Sequence, residues 1–294
     1  MKGWIRSVLF LGTLGSLVLA GEMETQGWTQ QNFITMLWCQ PPATEENFAR
    51  LEREGYNLYP TYHTEVLPIS PVELLDLAQK HNIKVLLGHP LITLEALDDP
   101  AKKAELDKLI DTVKKHPALE GYNLFDEPDA TAFPKWTKLV AYLKEHDSDH
   151  MSYINLLPTY ANQQQLGVFM KDLPKDFPDH FAGTGIDKDT AIFYNEYLDQ
   201  FIKQVKPEIL SYDHYHFIPQ KDGDQYFLNL QLIRDTAQKA NIPFLNIIQA
   251  AKIESRRMPN EGELRWLAYS TMAYGGRGIC WFLYWGPTRF GGMY

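Results

Sequence analysis

Along the chain, short runs of apolar, β-branched and aromatic residues alternate with longer stretches whose apolar positions recur every three or four residues. The short runs fall at 34–39, 55–59, 84–88, 122–125, 152–156, 209–213, 243–248 and 278–284, and each predicts a strand. The intervening stretches predict helices, several with clear start signals. Thr44 stands before Glu45 and Glu46, and Ser70-Pro71-Val72-Glu73 is a capping box with proline at the first helical position. Asp99-Pro100 opens a helix to about Lys115, and Asn260 with Glu263 opens another over 261–274, which Gly275-Gly276 ends. Further helices are predicted at 133–145, 190–205 and 225–240.

Eight strands separated by seven helices predict an α/β protein, a (β/α)8 TIM barrel in one domain over residues 21–294. An open doubly wound sheet is the competing architecture. It usually offers a glycine-rich first βα turn, whereas the turn here is Gln40-Pro41-Pro42-Ala43-Thr44. Residues 158–188 carry little periodicity and many Pro, Gly, Asn and Gln, which suits a long loop on the catalytic rim. The chain ends at Tyr294, soon after the eighth strand, so the expected barrel lacks its last helix. Either the sequence is a fragment or another segment covers that gap.

Residues 1–20 are set apart from this pattern. Lys2 and Arg6 precede a mostly apolar stretch from Val8 to Leu19, and Val18 and Ala20 are small enough for a cleavage site after Ala20. The apolar stretch is about 12 residues, short of the roughly 20 needed to span a bilayer. The expectation is a secretory signal peptide and a secreted or periplasmic protein, with no membrane contact after cleavage. The net charge is −9 and no run of Lys and Arg could track a phosphate backbone, which argues against a nucleic-acid partner. Two cysteines, Cys39 and Cys280, fall on the first and eighth strands; two buried thiols are expected ahead of a disulfide.

In such a barrel the reactive groups lie at the C-terminal ends of the strands. Those ends hold Trp38, Tyr62, His89, Asp126-Glu127-Pro128, Asn155, Asp213 with Tyr215, Gln249, Trp281 and Trp285. Aromatic faces can stack on the C–H surfaces of a sugar, while amides, His and carboxylates hydrogen-bond its hydroxyls. A phosphate fits poorly, because no strand end carries Lys or a glycine nest. Simple alternation places Asn123, Phe125 and Glu127 on one face of the fourth strand and Asp126 on the other. Glu127 is therefore the candidate general acid, with Asp126 bracing the loop or bonding a neighbour. His214 and His216 flank Tyr215, but a metal site would need a third ligand, so neither metal nor cofactor is expected. No serine-centred nucleophile elbow is present, which disfavours an esterase.

An Asx-Glu-Pro at the end of the fourth strand resembles the acid/base motif of the clan A glycoside hydrolases, the (β/α)8 superfamily of cellulases and β-galactosidases. The stretch from Pro259 through Trp266 and Gly275-Gly276-Arg277-Gly278 to Trp281 and Trp285 is similar to bacterial secreted proteins with glycosidase-like barrels. The resemblance implies that Glu127 is the acid/base, although Asp126 stands where that clan has Asn. It also implies a nucleophilic Glu ending the seventh strand, and the residue there is Gln249. The second carboxylate is then Asp213, with Glu254 or a group of the substrate as alternatives. A wide separation from Glu127 would fit inversion and a narrow one retention. The expected activity is hydrolysis of a poly- or oligosaccharide. A catalytically lapsed carbohydrate-binding barrel, or a sugar-modifying lyase, is the alternative.

Overall fold

The computed structural model describes residues 27–170, 188–253 and 255–286. The predicted export segment, part of the long loop after the fifth strand, Glu254 and residues 287–294 lie outside them. Eight parallel strands close into a barrel in sequence order: β1 (Ile34–Leu37), β2 (Leu58–Pro60), β3 (Lys84–Leu87), β4 (Leu119–Asp126), β5 (Met151–Leu156), β6 (Leu210–His214), β7 (Phe244–Gln249) and β8 (Gly278–Phe282). Closure is direct, with Ile34 through Leu37 registered against Gly278 through Trp281. An open sheet would leave those two edges unpaired.

Seven longer helices fill the crossovers: α1 (Glu45–Glu54), α2 (Pro71–Lys80), α4 (Pro100–Val113), α5 (Phe133–His146), α7 (Lys188–Val205), α8 (Tyr226–Ala240) and α9 (Glu261–Ala273). The short α3 (Leu94–Asp98) and α6 (Gln163–Leu166) lie in loops. The sequence signals act as read. Ser70 and Glu73 form a complete capping box, as do Asn260 and Glu263. Gly275 takes a left-handed φ of 91° just past α9.

Strand residues alternate between two apolar layers, as the period of two requires. Ile34, Met36, Leu58, Leu86, Met151, Tyr153, Leu245, Ile247 and Cys280 fill the barrel interior. Their neighbours Leu37, Tyr59, Val85, Leu87, Ile154, Leu156, Leu210, Tyr212, Phe244 and Ile248 pack outward, against helix residues such as Phe48, Leu74, Ile110 and Phe133. Burial on both faces explains why these strands read as nearly unbroken apolar runs. Trp281 belongs to this outer layer, on the same side as its register partners Leu37 and Ile248. It faces the helices and is therefore not a sugar platform, contrary to the expectation.

Two strand features position the mouth of the barrel. On β4, the register against β5 shifts between Asn123 and Phe125, so Leu124 is an extra residue. Leu124 packs in the outer layer and Phe125 beside it, its ring 4.6 Å from that of Trp136 on α5. The bulge resets the alternation. Phe125 stays outside, and Asp126 turns to the inner side that simple alternation had denied it. Between β2 and β3 the backbones approach closely. Thr61 donates its hydroxyl to the Gly88 carbonyl and accepts from the Gly88 N–H, both at 2.9 Å. A Cβ on Gly88 would stand 2.3 Å from the Thr61 carbonyl oxygen.

Past β8, Leu283 follows a cis peptide bond, and the chain doubles the closure. The N–H groups of Tyr284 and Trp285 donate to the carbonyls of Trp38 and Cys39, each at 3.0 Å. The Tyr284 ring meets Tyr56 edge-on at 5.2 Å, and its hydroxyl donates to Glu54 at the end of α1. Among the described residues no helix is long and apolar enough to cross a membrane.

The Gly88 contact yields a stability prediction. Gly88→Ala should destabilise by about 1–3 kcal/mol, because the backbone facing the new methyl cannot rotate away. At roughly 2–4 °C per kcal/mol, the loss is readable in a thermal melt. An unchanged melting temperature would show that the β2–β3 approach relaxes freely.

Candidate active site at the mouth of the barrel

At the C-terminal end of the barrel, polar side chains replace the apolar interior. Tyr153 and Asn155 on β5, and Ser211 and Asp213 on β6, follow the inward phase of Met151 and Ile209. The Tyr153 and Ser211 hydroxyls are 2.6 Å apart. Ser211 donates onward to Oδ1 of Asn155 at 2.9 Å, which fixes the amide with its nitrogen toward the mouth. That Nδ2 then donates to Asp126 at 3.0 Å and to Asp213 at 3.1 Å. One amide thus clamps two carboxyl groups from strands on either side of its own.

Glu127 completes the cluster. Its backbone takes a left-handed φ of 52°, and its N–H donates to the Asn155 carbonyl at 2.9 Å. The turn brings the Glu127 side chain to the same side as Asp126 and within hydrogen-bonding reach of the Asp213 carboxyl. Asp213 is 3% exposed, and burial pushes its carboxyl well above the usual range. The adjoining Glu127 carboxylate adds to the shift, Asp126 adds less, and the Asn155 amide opposes it. Asp126 opens partly to solvent, yet the walls of the mouth enclose it and push its carboxyl up to about 6, against the Asn155 hydrogen bond. The deepest carboxyl of the cluster thus gives up its proton less readily than a free aspartate.

Several expected residues join this cluster. The Tyr215 ring lies 5.0 Å from Phe282, and its N–H donates to the Tyr160 hydroxyl. Trp38 and Tyr62 meet edge-on at 5.3 Å at the mouth end of the interior layer. The Tyr62 hydroxyl accepts from the Cys39 N–H at 3.2 Å. Cys39 and Cys280 are free thiols. Burial, then the Glu65 and Asp126 charges, raise Cys39 to about 11, and burial raises Cys280 further, so both are protonated.

Others have different work. Gln249 is fully buried and spent on loops: it accepts from the Phe217 N–H and donates to the carbonyls of Ala251 and Arg257. It therefore cannot also hold a sugar hydroxyl, as had been expected of it. His89 accepts from the Leu91 N–H and lines a groove with Glu65, Leu67 and Pro71, apart from the carboxyls. Trp285 lies over α1, its ring 5.7 Å from the Arg50 guanidinium. His214 hydrogen-bonds Asn229 of α8, and its burial lowers it to about 3, so it is a neutral packing residue. No group of three His, Cys, Asp or Glu side chains among the described residues could hold a metal ion.

Sequence reading did not single out Tyr160 or Arg256. Tyr160 sits in the loop after β5, its ring 5.0 Å from His214. Arg256, in the loop after β7, stacks its guanidinium 4.8 Å over Tyr160 and donates Nε to the Tyr215 carbonyl. The long, weakly periodic loop was the available signal for Tyr160; nothing local marked Arg256.

No protein-family profile matches the chain, and no curated protein sequence matches it. Solved structures do share its fold. A candidate alpha-L-fucosidase from Bacteroides thetaiotaomicron is similar over 90% of this chain and 91% of its own, with 12% identity and a TM-score of 0.58. Cellulose synthase subunit Z of Clostridioides difficile is similar over 86% and 92%, with 10% identity and a TM-score of 0.53. An endoglucanase is similar over 83% and 82%, with 12% identity and a TM-score of 0.50. The chain therefore has a (β/α)8 barrel of the kind found among glycoside hydrolases. At these identities the likeness is one of fold.

Two predictions follow from the clamp. Asn155→Ala removes the hydrogen bond that holds Asp126 down, so its midpoint should move above about 6 in a carboxyl 13C NMR titration. A midpoint that stays in place would assign the shift to enclosure alone. Asp213→Asn should stabilise the fold at pH 8. The native carboxyl binds its proton more tightly than the unfolded one, so its contribution to stability falls as pH rises above the unfolded value near 4. The gain in melting temperature should shrink toward pH 4, and a gain independent of pH would refute the raised affinity.

Proposed function

We propose that the chain is a glycoside hydrolase acting on a poly- or oligosaccharide, with Glu127 and Asp213 as its reacting pair. The observation that carries this reading is the contact between those two carboxyl groups at the mouth of the barrel, one of them buried and pushed well above the usual carboxyl range. Glycoside hydrolysis needs one carboxyl as acid and a second as carboxylate, and two carboxyls in contact favour keeping one proton over losing both. Glu127, at the rim end of the pair, relays that proton to the glycosidic oxygen as the bond to the anomeric carbon breaks. Asp213 is then the carboxylate facing the positive charge that develops on the sugar ring. Water adds to the anomeric carbon and returns its proton to the pair.

Trp38, Tyr62 and Tyr215 are proposed as sugar-facing aromatics, with Asp126 and Asn155 holding the pair in place. The N-terminal segment supports an exported protein acting outside the cytoplasm. A saccharide-binding barrel without turnover is the second reading. It is favoured by Gln249, which ends β7 where the resembling clan carries its nucleophile and is committed to loop hydrogen bonds.

The deciding experiment is a reducing-end release screen over a polysaccharide panel, with wild type beside Glu127→Gln and Asp213→Asn. Activity should fall by at least about 100-fold in each variant, the scale for loss of a positioned acid or base. Release that survives Asp213→Asn would move the second role away from Asp213. Binding without release by any of the three proteins would establish the second reading.

A further inference from the structure

The loop after β7 carries two adjacent arginines in opposite situations. Arg257 is neutralised, with Glu263 at 2.7 Å and Asp222 at 3.1 Å. Arg256 has no carboxylate partner among the described residues. Its backbone N–H donates to the Ile253 carbonyl at 2.7 Å, closing a tight turn, and its Nε donates to the Tyr215 carbonyl at 2.8 Å. The guanidinium plane rests on the Tyr160 ring at 4.8 Å, a cation–π contact that fixes its direction. Its two terminal nitrogens, with four N–H donors, make no hydrogen bond to another described residue.

This guanidinium belongs to the rim that holds the reacting pair. The Tyr160 hydroxyl senses both Asp213 and Arg256, and Tyr215, whose backbone both residues bind, directly follows His214 and Asp213 on the chain. Tyr160 accepts from the Tyr215 N–H, so its own hydroxyl hydrogen is free to donate toward the same space. A cation held rigidly by stacking and a backbone bond, beside a phenol donor, presents a planar fork to an anionic group. The surrounding mouth is acidic, which selects against a polyanion laid flat and for one localised negative substituent.

We infer that Arg256 and Tyr160 form a subsite for an anionic substituent on the sugar, so that the preferred ligand is an acidic saccharide carrying a uronate carboxylate or a sulfate ester. The inference rests on the saccharide reading above and names its substrate class. Two sources of the anion share this chemistry, and binding measurements separate them.

The test is calorimetric titration of the Asp213→Asn protein, in which turnover is suppressed. The probes are three gluco-oligosaccharide series of matched length: one bearing a single uronate, one bearing a single sulfate ester, and one neutral. One acidic series should bind at least about tenfold more tightly than the neutral one, with the preference weakening as salt rises. Adding Arg256→Gln should remove that preference, while Arg256→Lys, which keeps the charge and loses the fork, should retain part of it. Thermal melts of both variants separate a lost site from a lost fold, since Arg256 also braces the Tyr215 carbonyl. Equal affinity for neutral and acidic series, a preference untouched by Arg256→Gln, or no saccharide binding at all would overturn the inference. Tight acidic binding by a wild-type protein that releases no reducing ends would sustain the subsite and refute hydrolysis, so the two failures are distinct.

Discussion

Carboxyl groups brought into contact away from water cannot all be ionised, and the mouth of this barrel is organised around that constraint. Asp213 lies deepest and holds its proton more tightly than a free aspartate; Glu127 and Asp126 crowd it from the next strand but one. What prevents the three from moving apart is the Asn155 amide, whose two N–H groups bind two of the carboxyls at once. The amide is held in turn by Ser211, and Ser211 by Tyr153. Each member of this column sits on the inner face of β5 or β6, so the regular strand backbone sets the geometry of the acids.

The apolar filling beneath the column is part of the same arrangement. Met36, Leu86, Tyr153, Leu245 and Ile247 exclude water from below, so the charged groups above meet solvent from one side only. That one-sided enclosure raises Asp126 and Asp213 together, and it also keeps the Cys39 and Cys280 thiols protonated and therefore unreactive. The titratable groups gathered at this mouth are carboxyls, and the neighbouring sulfur atoms serve as packing.

Much of this was legible in the sequence, for physical reasons that also mark where legibility ended. The βα alternation and the capping boxes at Ser70 and Asn260 are local, and they placed the elements correctly. Asp126, Glu127, Asn155 and Asp213 were found because strand ends in a closed barrel converge wherever the side chains point inward. Pointing itself was less secure. Leu124 breaks the period of two on β4, and Trp281 takes the outer phase that its register with Leu37 imposes. Gln249 looked like a ligand donor because its consumption by Phe217, Ala251 and Arg257 depends on loops that the sequence does not fold by pattern. Arg256 escaped notice for the same reason: its partners are a carbonyl and a ring brought by two other loops.

The extra residue at Leu124 gives β4 the character of a gear with one added tooth. The pairing with β5 resumes on its far side, Asn123 standing opposite Tyr153 and Phe125 opposite Ile154. Removing Leu124 would leave Asn123, Phe125 and Asp126 in plain alternation, with the phenylalanine still outside and the aspartate still inside. The bulge thus lets β4 carry one more apolar residue into the layer beneath the helices without moving its acid from the mouth.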